Sequence, residues 1–451
     1  MEQSIFNKTE GDINLTEERA RWQETFLSPH AKELLEEDSR YFLHQALSTP
    51  CLDPIAGAEG IYLIDEDGRK IMDFHGNSVH QLGYHHPALV RALQDQLSRL
   101  SFLPRRYSNR TATALAKKLC GLMPGGTGWK VLFTPSGAAS NSIALKLARR
   151  ATGKYKTISL WDSFHGANLD TISIGGEAHF RSGIGPLLPG CRHVFPCNSY
   201  RCIFGDCAGC GLKCVDYLEY VCRCEGDIGA IIMEPIRCTD VQIPPREYYR
   251  RIRRICDDYG ILLIFDEIPT AFGRTGTMFA FENYDIDPDI LVTGKGLGGS
   301  LYPISAIIAK ESLDVCQDIS LGHYTHEKSP LGCAVGLALL EYIEQEHLLE
   351  HVADLNALME RRAEKMKASL PAVGDVRLIG ALLGIELVRD RETKEKAVDE
   401  AEKILYRCLE QGLSFKISQG NVLTLAPPLI ISEAELSRAL DIVEEAIRSL
   451  T

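Results

Sequence analysis

The sequence predicts an α/β protein in which a mostly parallel sheet is covered by helices, with a smaller α+β region attached. Short runs of consecutive apolar residues, such as 261–265, alternate along the middle of the chain with longer segments of helical periodicity. Strands that are apolar at every position are typical of parallel sheets buried on both faces. The sequence contains no internal repeat and no low-complexity segment that would indicate a different architecture.

The predicted central sheet occupies the middle of the chain. Its strands are expected at residues 129–134, 157–161, 230–234, 261–266, 289–293 and 304–308, and helices are expected at 138–152 and 247–259. Helices between successive strands provide the crossover connections that parallel pairing requires.

The two ends of the chain predict the smaller region. Residues 31–45 have helical periodicity, and an Asp-Gly turn at 67–68 lies between two runs at 61–64 and 70–74, a pattern typical of a hairpin. Near the C-terminus we expect a helical run from 331 to about 370, strands at 382–388 and 422–425, and helices at 397–412 and from 432. The predicted domains are an N-terminal segment (1–85) that joins the small domain, a large domain (86–330) and a C-terminal small domain (331–451).

Composition excludes several classes of partner. The 451 residues include 61 acidic and 49 basic side chains, a net charge of −12 that argues against nucleic-acid binding. No apolar run approaches the roughly 18 residues that span a bilayer. The N-terminus lacks the apolar core of a signal peptide. We therefore expect a cytoplasmic protein with neither a membrane nor a nucleic-acid partner.

Cysteines are concentrated in one segment, which we interpret as an insertion at 191–224 in the large domain. Eight of the fifteen cysteines lie there, and four of them follow a C-x4-C-x2-C-x3-C spacing: Cys202, Cys207, Cys210 and Cys214. This spacing would suit a Zn²⁺ site or a cluster, but it lacks a second C-x2-C pair. Thiols that only pack, or a local disulfide, are the alternatives, and we assign no metal ligand. Elsewhere reduced thiols are expected, because no secretion signal is present.

The strongest candidates for chemistry are Asp266 and Lys295. Asp266 ends a predicted buried strand, and Lys295 follows another strand on a turn flanked by glycines. Ligands of open α/β sheets bind outside the carboxyl ends of the strands. A carboxylate for a pyridinium nitrogen and a lysine for a Schiff base are the two groups that pyridoxal 5'-phosphate (PLP) requires. A structural Asp–Lys ion pair explains the spacing equally well.

The surrounding motifs resemble the class III PLP-dependent aminotransferases from about residue 55 to the end. The matching segments are GYHHP (83–87), SGA (136–138), FHG (164–166), EP (234–235), FDEIPTAFGRTG (265–276), PDI (288–290), GKGLGG (294–299) and PPL (427–429). Each motif alone is weak, but their order and spacing are specific. The resemblance implies fold type I, with a seven-stranded type of sheet in a large PLP-binding domain, and a homodimer with shared active sites that acts on a small-molecule amine.

The resemblance also implies a role for individual residues. Lys295 forms the Schiff base and moves the substrate proton, and Asp266 keeps the pyridine nitrogen protonated. The other implied cofactor contacts are Gly137 and Ala138 at the phosphate, Phe164 stacked on the ring, Ile268 behind it, His165 as a supporting residue and Thr325 reaching the phosphate from the partner subunit.

The sequence departs from the family pattern at informative positions. Pro269 stands where transaminases usually have a glutamine, and Thr424 stands where many have the arginine that binds the α-carboxylate of an amino or keto acid. The segment THEKSP at 325–330 has charged residues where the family has glycines. Because transamination requires a keto acid, the loss of that arginine weakens the transaminase assignment.

These variants resemble a branch of the family that eliminates instead, the ammonia-lyases of (R)-1-hydroxy-2-aminoethylphosphonate. We therefore expect a lyase that forms phosphonoacetaldehyde and ammonia, with an ω-amine or amino-acid transaminase as the alternative. Arg105 and Arg106 are candidates for binding the phosphonate, since arginine suits that geometry, although a solvated basic face explains them as well. Asn77 and His80 lie in the segment that shapes the substrate pocket of the family.

Overall fold

The computed structural model describes residues 15–46, 48–205 and 209–449, and its strands form three sheets. The strands are β1 (Ile55–Glu59), β2 (Tyr62–Asp65), β3 (Lys70–Asp73), β4 (Trp129–Thr134), β5 (Lys156–Leu160), β6 (Cys191–Val194), β7 (Ile228–Met233), β8 (Leu262–Asp266), β9 (Ile290–Thr293), β10 (Ser305–Lys310), β11 (Val373–Ile379), β12 (Leu382–Asp390), β13 (Glu395–Lys396), β14 (Leu413–Ser414), β15 (Lys416–Ser418) and β16 (Val422–Leu425).

Helices cover the sheets and connect the strands. They are α1 (Glu17–Phe26), α2 (Pro29–Tyr41), α3 (Pro87–Arg99), α4 (Arg110–Leu122), α5 (Gly137–Thr152), α6 (Leu169–Ile174), α7 (Ala178–Arg181), α8 (Lys213–Glu225), α9 (Arg246–Tyr259), α10 (Pro330–Gln345), α11 (Leu348–Ser369), α12 (Val398–Glu410) and α13 (Glu433–Arg448). Within the described ranges, none of these helices is long and apolar enough to cross a membrane.

The central sheet has seven strands in the order β4-β10-β9-β8-β7-β5-β6. β10 is antiparallel to both of its neighbours, and every other pair from β9 to β6 is parallel. Every residue of β7 and β9 is buried, as the continuous apolar runs predicted. The prediction of a mostly parallel α/β sheet covered by helices is therefore confirmed.

The two smaller sheets join the ends of the chain. β2 and β3 form the predicted hairpin, with Tyr62 opposite Met72, and β14 pairs parallel to β3. The other sheet has the order β11-β12-β16-β15, with β13 beside β12. Residues near the N-terminus and the C-terminus thus share one sheet, while the three-part domain division remains a prediction.

The structure corrects two details of the predicted elements. The helical run at 331–370 is two helices, α10 and α11, because His347 between them has a left-handed backbone with φ of 52°. The predicted helix at 31–45 ends at Tyr41, where Phe42 has an extended backbone.

Much of the cysteine-rich segment forms regular elements of the central fold, although its sequence suggested an insertion. Its first four residues form β6, the edge strand beside β5, and its last part forms α8, which packs on α9. Cys202 and Cys214 have reduced thiols, and Cys214 is buried in the main hydrophobic core. Cys207 lies outside the described residues. Among those described, no group of three or more His, Cys, Asp or Glu side chains is arranged to hold a metal ion.

Candidate active site

The candidate site lies at the carboxyl end of the central sheet. Asp266 is the last residue of β8, and Lys295 lies two residues beyond Thr293, the end of the neighbouring strand β9. Parallel pairing of β8 with β9 brings these two strand ends to the same edge, so the topology places both predicted residues at the ligand crevice of an open α/β sheet.

The carboxylate of Asp266 is buried and held by three hydrogen bonds. His165 Nδ1 and Asn141 Nδ2 each lie 2.8 Å from Asp266 Oδ2, and the backbone N–H of Ile268 donates to Oδ1 at 3.1 Å. The Asn141 amide also donates to the carbonyl of His165 at 2.8 Å. The side chain of Asn141 therefore fixes Asp266 and His165 relative to each other.

Asn141 is a site residue that the sequence reasoning missed. It lies on α5 and is completely buried, although asparagine is rarely found in a helix interior without a specific partner. A polar residue one turn after the SGA motif, on the apolar face of the helix, was the available signal.

The structure does not contain the Asp266–Lys295 ion pair that the spacing allowed. Among the described residues, Asp266 forms no ion pair with a lysine or arginine, and its only charged or chargeable contact is His165. A buried carboxylate is costly unless an opposite charge lies close to it. The ring N–H of a pyridinium would provide that charge, so Asp266 fits the chemistry of PLP.

The N-terminus of α5 is suited to bind an anion. Ser136 caps the helix by accepting from the N–H of Ala139 at 3.2 Å. The N–H groups of Gly137 and Ala138 donate to no backbone carbonyl of the described residues. Exposed N–H groups and the helix dipole favour phosphate at such an end. A Cβ at Gly137 would lie 2.4 Å from Ile268 Cδ1, so a larger residue there would force the Ile268 side chain to shift.

Lys295 is held on a tightly packed turn. It is half-buried and has a positive φ of 42°. A Cβ at Gly294 would lie 2.3 Å from Ser305 Oγ, and one at Gly296 would lie 2.2 Å from Gln81 Nε2. The two flanking glycines therefore let this turn pack closely between β10 and the segment around Gln81, which fixes the backbone from which the lysine projects.

Two further predicted cofactor contacts lie at the edges of the site. The ring of Phe164 is half-buried, with its centroid 4.5 Å from that of Phe180. Thr325 is exposed and lines a cleft of about 790 Å³ together with Arg105 and Arg106. The residues that line this cleft do not include Asp266 or Lys295. The cleft that these arginines line is therefore not one that Lys295 lines.

The segment around Asn77 forms a strained wall. Gly76, Asn77 and Ser78 all have positive φ, and Asn77 is exposed. His80 is completely buried, with Nε2 3.0 Å from the carbonyl of Asp73. Burial lowers the pKa of His80 to about 4. His80 is therefore a neutral buried support of this wall, and Asn77 is the residue of the predicted pair that is accessible to a ligand.

The segment after β7 adjoins this wall, with Cys238 Sγ 3.9 Å from Ser78 Oγ, and the sequence reasoning gave it no role beyond its EP motif. The Thr424 hydroxyl donates to the carbonyl of Thr239, so β16 of the small sheet is joined to this segment. Arg237 is buried and ion-paired with Asp240. Burial raises the pKa of Glu234 to about 7. This segment thus contains a buried acid and a buried cation close to the carboxyl end of the sheet.

Comparison with known proteins gives concordant matches. A protein-family model described as aminotransferase class-III matches residues 45–447. The (R)-1-hydroxy-2-aminoethylphosphonate ammonia-lyase of Vibrio splendidus (strain 12B01) is 50% identical over 455 residues, which cover 98% of this chain and 95% of that protein.

Solved structures of similar proteins have the same overall fold. An aminotransferase of Bacillus anthracis superposes with a TM-score of 0.86 at 31% identity and covers 94% of this chain and 100% of its own. The taurine:2-oxoglutarate aminotransferase of Bifidobacterium kashiwanohense, in complex with PLP and glutamate, has a TM-score of 0.87 at 28% identity, with 93% and 98% covered.

Proposed function

Because this chain belongs to the class III aminotransferases, we propose that it is a PLP-dependent ammonia-lyase that converts (R)-1-hydroxy-2-aminoethylphosphonate into phosphonoacetaldehyde and ammonia. The observation that carries the proposal is the 50% identity, over nearly the whole chain, to a relative with that activity. The family resemblance and the lyase branch predicted from the motifs agree with this match.

The residues at the carboxyl end of the sheet would hold the cofactor. The N–H groups of Gly137 and Ala138 would bind its phosphate, and Phe164 and Ile268 would pack on either side of its ring. Asp266, held by Asn141 and His165, would accept the hydrogen bond of the ring N–H. When bound, PLP supplies a ring that accepts the electron pair left as a proton leaves the amine-bearing carbon.

Lys295 would carry the cofactor and then act as the base. Its amine takes the proton from the amine-bearing carbon of the substrate, and the hydroxyl on the adjacent carbon leaves as water with a proton that the lysine ammonium returns. The resulting enamine takes up one water and yields the aldehyde and ammonia. One water leaves and one enters, so no amino acceptor is consumed and the enzyme is ready for another turnover.

The structure around Thr424 supports elimination over transamination. Its hydroxyl is engaged with the carbonyl of Thr239, and it has no charge with which to bind a keto acid. Pro269 likewise offers no donor to the cofactor. The transaminase alternative requires a carboxylate-binding group elsewhere. It is the competing hypothesis because the solved structures that resemble this chain are those of aminotransferases.

A homodimer with shared sites would explain the position of Thr325. This residue is exposed in one subunit and lies apart from Lys295. We propose that Thr325 reaches the cofactor phosphate of the partner subunit, and that Arg105 and Arg106, which line the same cleft, face that site as well.

The experiment that tests the proposed function measures ammonia and aldehyde from the purified holoenzyme and substrate, with no keto acid present. We expect both products in equal amounts over many turnovers. A transaminase would stop after one turnover and resume only when pyruvate or 2-oxoglutarate is added. Turnover that depends strictly on an added keto acid would refute the lyase assignment.

A further inference from the structure

The proposed substrate carries a doubly charged phosphonate, and Thr424 cannot bind it. We propose that Arg237 and Lys416, on the two sides of Thr424, bind this phosphonate. The inference rests on the proposed function, because it assigns the residues that recognise the acidic group of that substrate.

Arg237 has hydrogen-bonding capacity that the protein leaves unused. The residue is only 6% exposed, and its Nε and Nη2 face the two carboxylate oxygens of Asp240. The remaining nitrogen, Nη1, is buried and has no hydrogen-bond partner among the described residues. Its nearest carboxylate oxygen, in Asp162, is 3.8 Å away. Since buried polar groups are nearly always hydrogen-bonded, an unpartnered guanidinium nitrogen just beyond a strand end indicates a ligand acceptor.

Arg237 also lies on the correct side of the sheet. It follows β7 by four residues, at the carboxyl end where Asp266 and Lys295 lie. Asp162, which lies beside Arg237 Nη1, comes two residues before Phe164 in the chain. Arginine binds phosphonate oxygens through directed N–H bonds. The Nη1 edge of Arg237 is therefore placed to donate to a substrate anion beside the cofactor ring.

Lys416 provides the second cation. In the small sheet it stands directly opposite Thr424, so the two side chains project from the same face. The Thr424 hydroxyl contacts the carbonyl of Thr239. This face of the sheet therefore packs against the segment that contains Arg237.

A shared neighbour places Lys416 near the reactive lysine. Burial lowers the pKa of His75 to about 4, although the negative charge of Asp73 acts to raise it. The positive charges of Lys416 and Lys295 also lower the pKa of His75. Both lysines thus lie within electrostatic reach of one imidazole. Lys416 would add a second cation beside the directed donors of Arg237.

The test compares two substrates that share the reacting atoms. Ethanolamine has the amine and the leaving hydroxyl of the proposed substrate but no phosphonate. For Arg237→Gln and Lys416→Met we expect kcat/KM with the phosphonate substrate to fall roughly 10- to 100-fold, as expected for the loss of a charge-assisted hydrogen bond. The fall should lie mainly in KM, and kcat/KM with ethanolamine should change less than about threefold. Binding of methylphosphonate, measured by calorimetry on the holoenzyme, should weaken in parallel.

Two further variants separate recognition from folding. Arg237→Gln/Asp240→Asn removes both charges of the buried pair, so no uncompensated carboxylate remains. Arg253→Gln breaks a partly buried pair with Asp289 at the opposite end of the strands, where Arg253 Nη1 lies 2.9 Å from Asp289 Oδ2 and Lys310 also pairs with Asp289. We expect the double variant to lose phosphonate selectivity and Arg253→Gln to keep it.

The outcomes distinguish the inference from the proposed function. If both substrates lose activity equally in the Arg237 and Lys416 variants, or if neither changes, the inference is overturned. Wild-type enzyme that releases ammonia from neither substrate would refute the proposed function, and methylphosphonate binding would still report whether these residues bind the anion.

Discussion

Replacing Asn141 by leucine tests whether the buried amide holds Asp266 in place. The change removes one hydrogen bond to a carboxylate and one to the carbonyl of His165, both at 2.8 Å. A hydrogen bond to a charged group contributes about 1.5–3 kcal/mol and one to a neutral group about 0.5–1.5 kcal/mol. We therefore expect the free energy of unfolding to fall by about 2–4 kcal/mol.

The assay is urea unfolding of the cofactor-free and cofactor-loaded protein, together with kcat. Ser140→Ala is the matched control, since Ser140 is the buried neighbour on the same helix. Its hydroxyl lies 2.7 Å from Thr134 Oγ1 and does not contact Asp266. That variant should lose about 1 kcal/mol and keep its activity. If Asn141→Leu is as stable and as active as the wild type, the amide does not support the carboxylate and the reasoning is wrong.

Three other changes test the rest of the site. Lys295→Ala should abolish the borohydride-reducible adduct seen by mass spectrometry and lower turnover by at least roughly 10²-fold, and an adduct that persists would contradict the assignment. Burial raises the pKa of Glu234 from 4.5 to about 7 and so favours its neutral form in the folded protein. As the pH rises from 4.5 to 7, the wild type should therefore lose up to about 3 kcal/mol of stability relative to Glu234→Gln. If the difference between the urea midpoints of the two proteins is the same at pH 5 and at pH 8, this expectation is wrong. Gly137→Ala places a Cβ 2.4 Å from Ile268 Cδ1 and should raise the dissociation constant of PLP, measured by cofactor fluorescence. Adding Ile268→Val removes that carbon and should return the dissociation constant to its wild-type value.

The accuracy of the fold prediction depended on how local each signal was. Strands such as β7 and β9 are buried along their whole length, and their apolar runs marked them correctly. β6 was missed because an edge strand has one neighbour and is only partly buried, so its sequence is not continuously apolar. The break between α10 and α11 was missed because it rests on the left-handed backbone of His347, for which the helical periodicity gave no warning.

The candidate site divides in the same way. Asp266 and Lys295 were predictable because each follows directly from a buried strand, and parallel pairing brings such strand ends together. The motifs of the family then supplied their roles. The placement of Arg105 and Arg106 shows the limit, because a local cluster of arginines does not reveal which crevice it faces. In the structure these residues line a cleft with Thr325 and not with Lys295.

The sequence by itself determined the α/β class and the family, and it located the two residues to which the proposed function assigns the chemistry, because each of these features lies in short continuous segments. Only the tertiary structure decided how those residues are supported. Asn141 contacts Asp266 across 125 positions of the chain, and the face of the small sheet that carries Lys416 lies against the segment of Arg237 through the Thr424 hydroxyl and the Arg377 guanidinium. Such contacts depend on how helices and sheets pack, and no local pattern of residues specifies them.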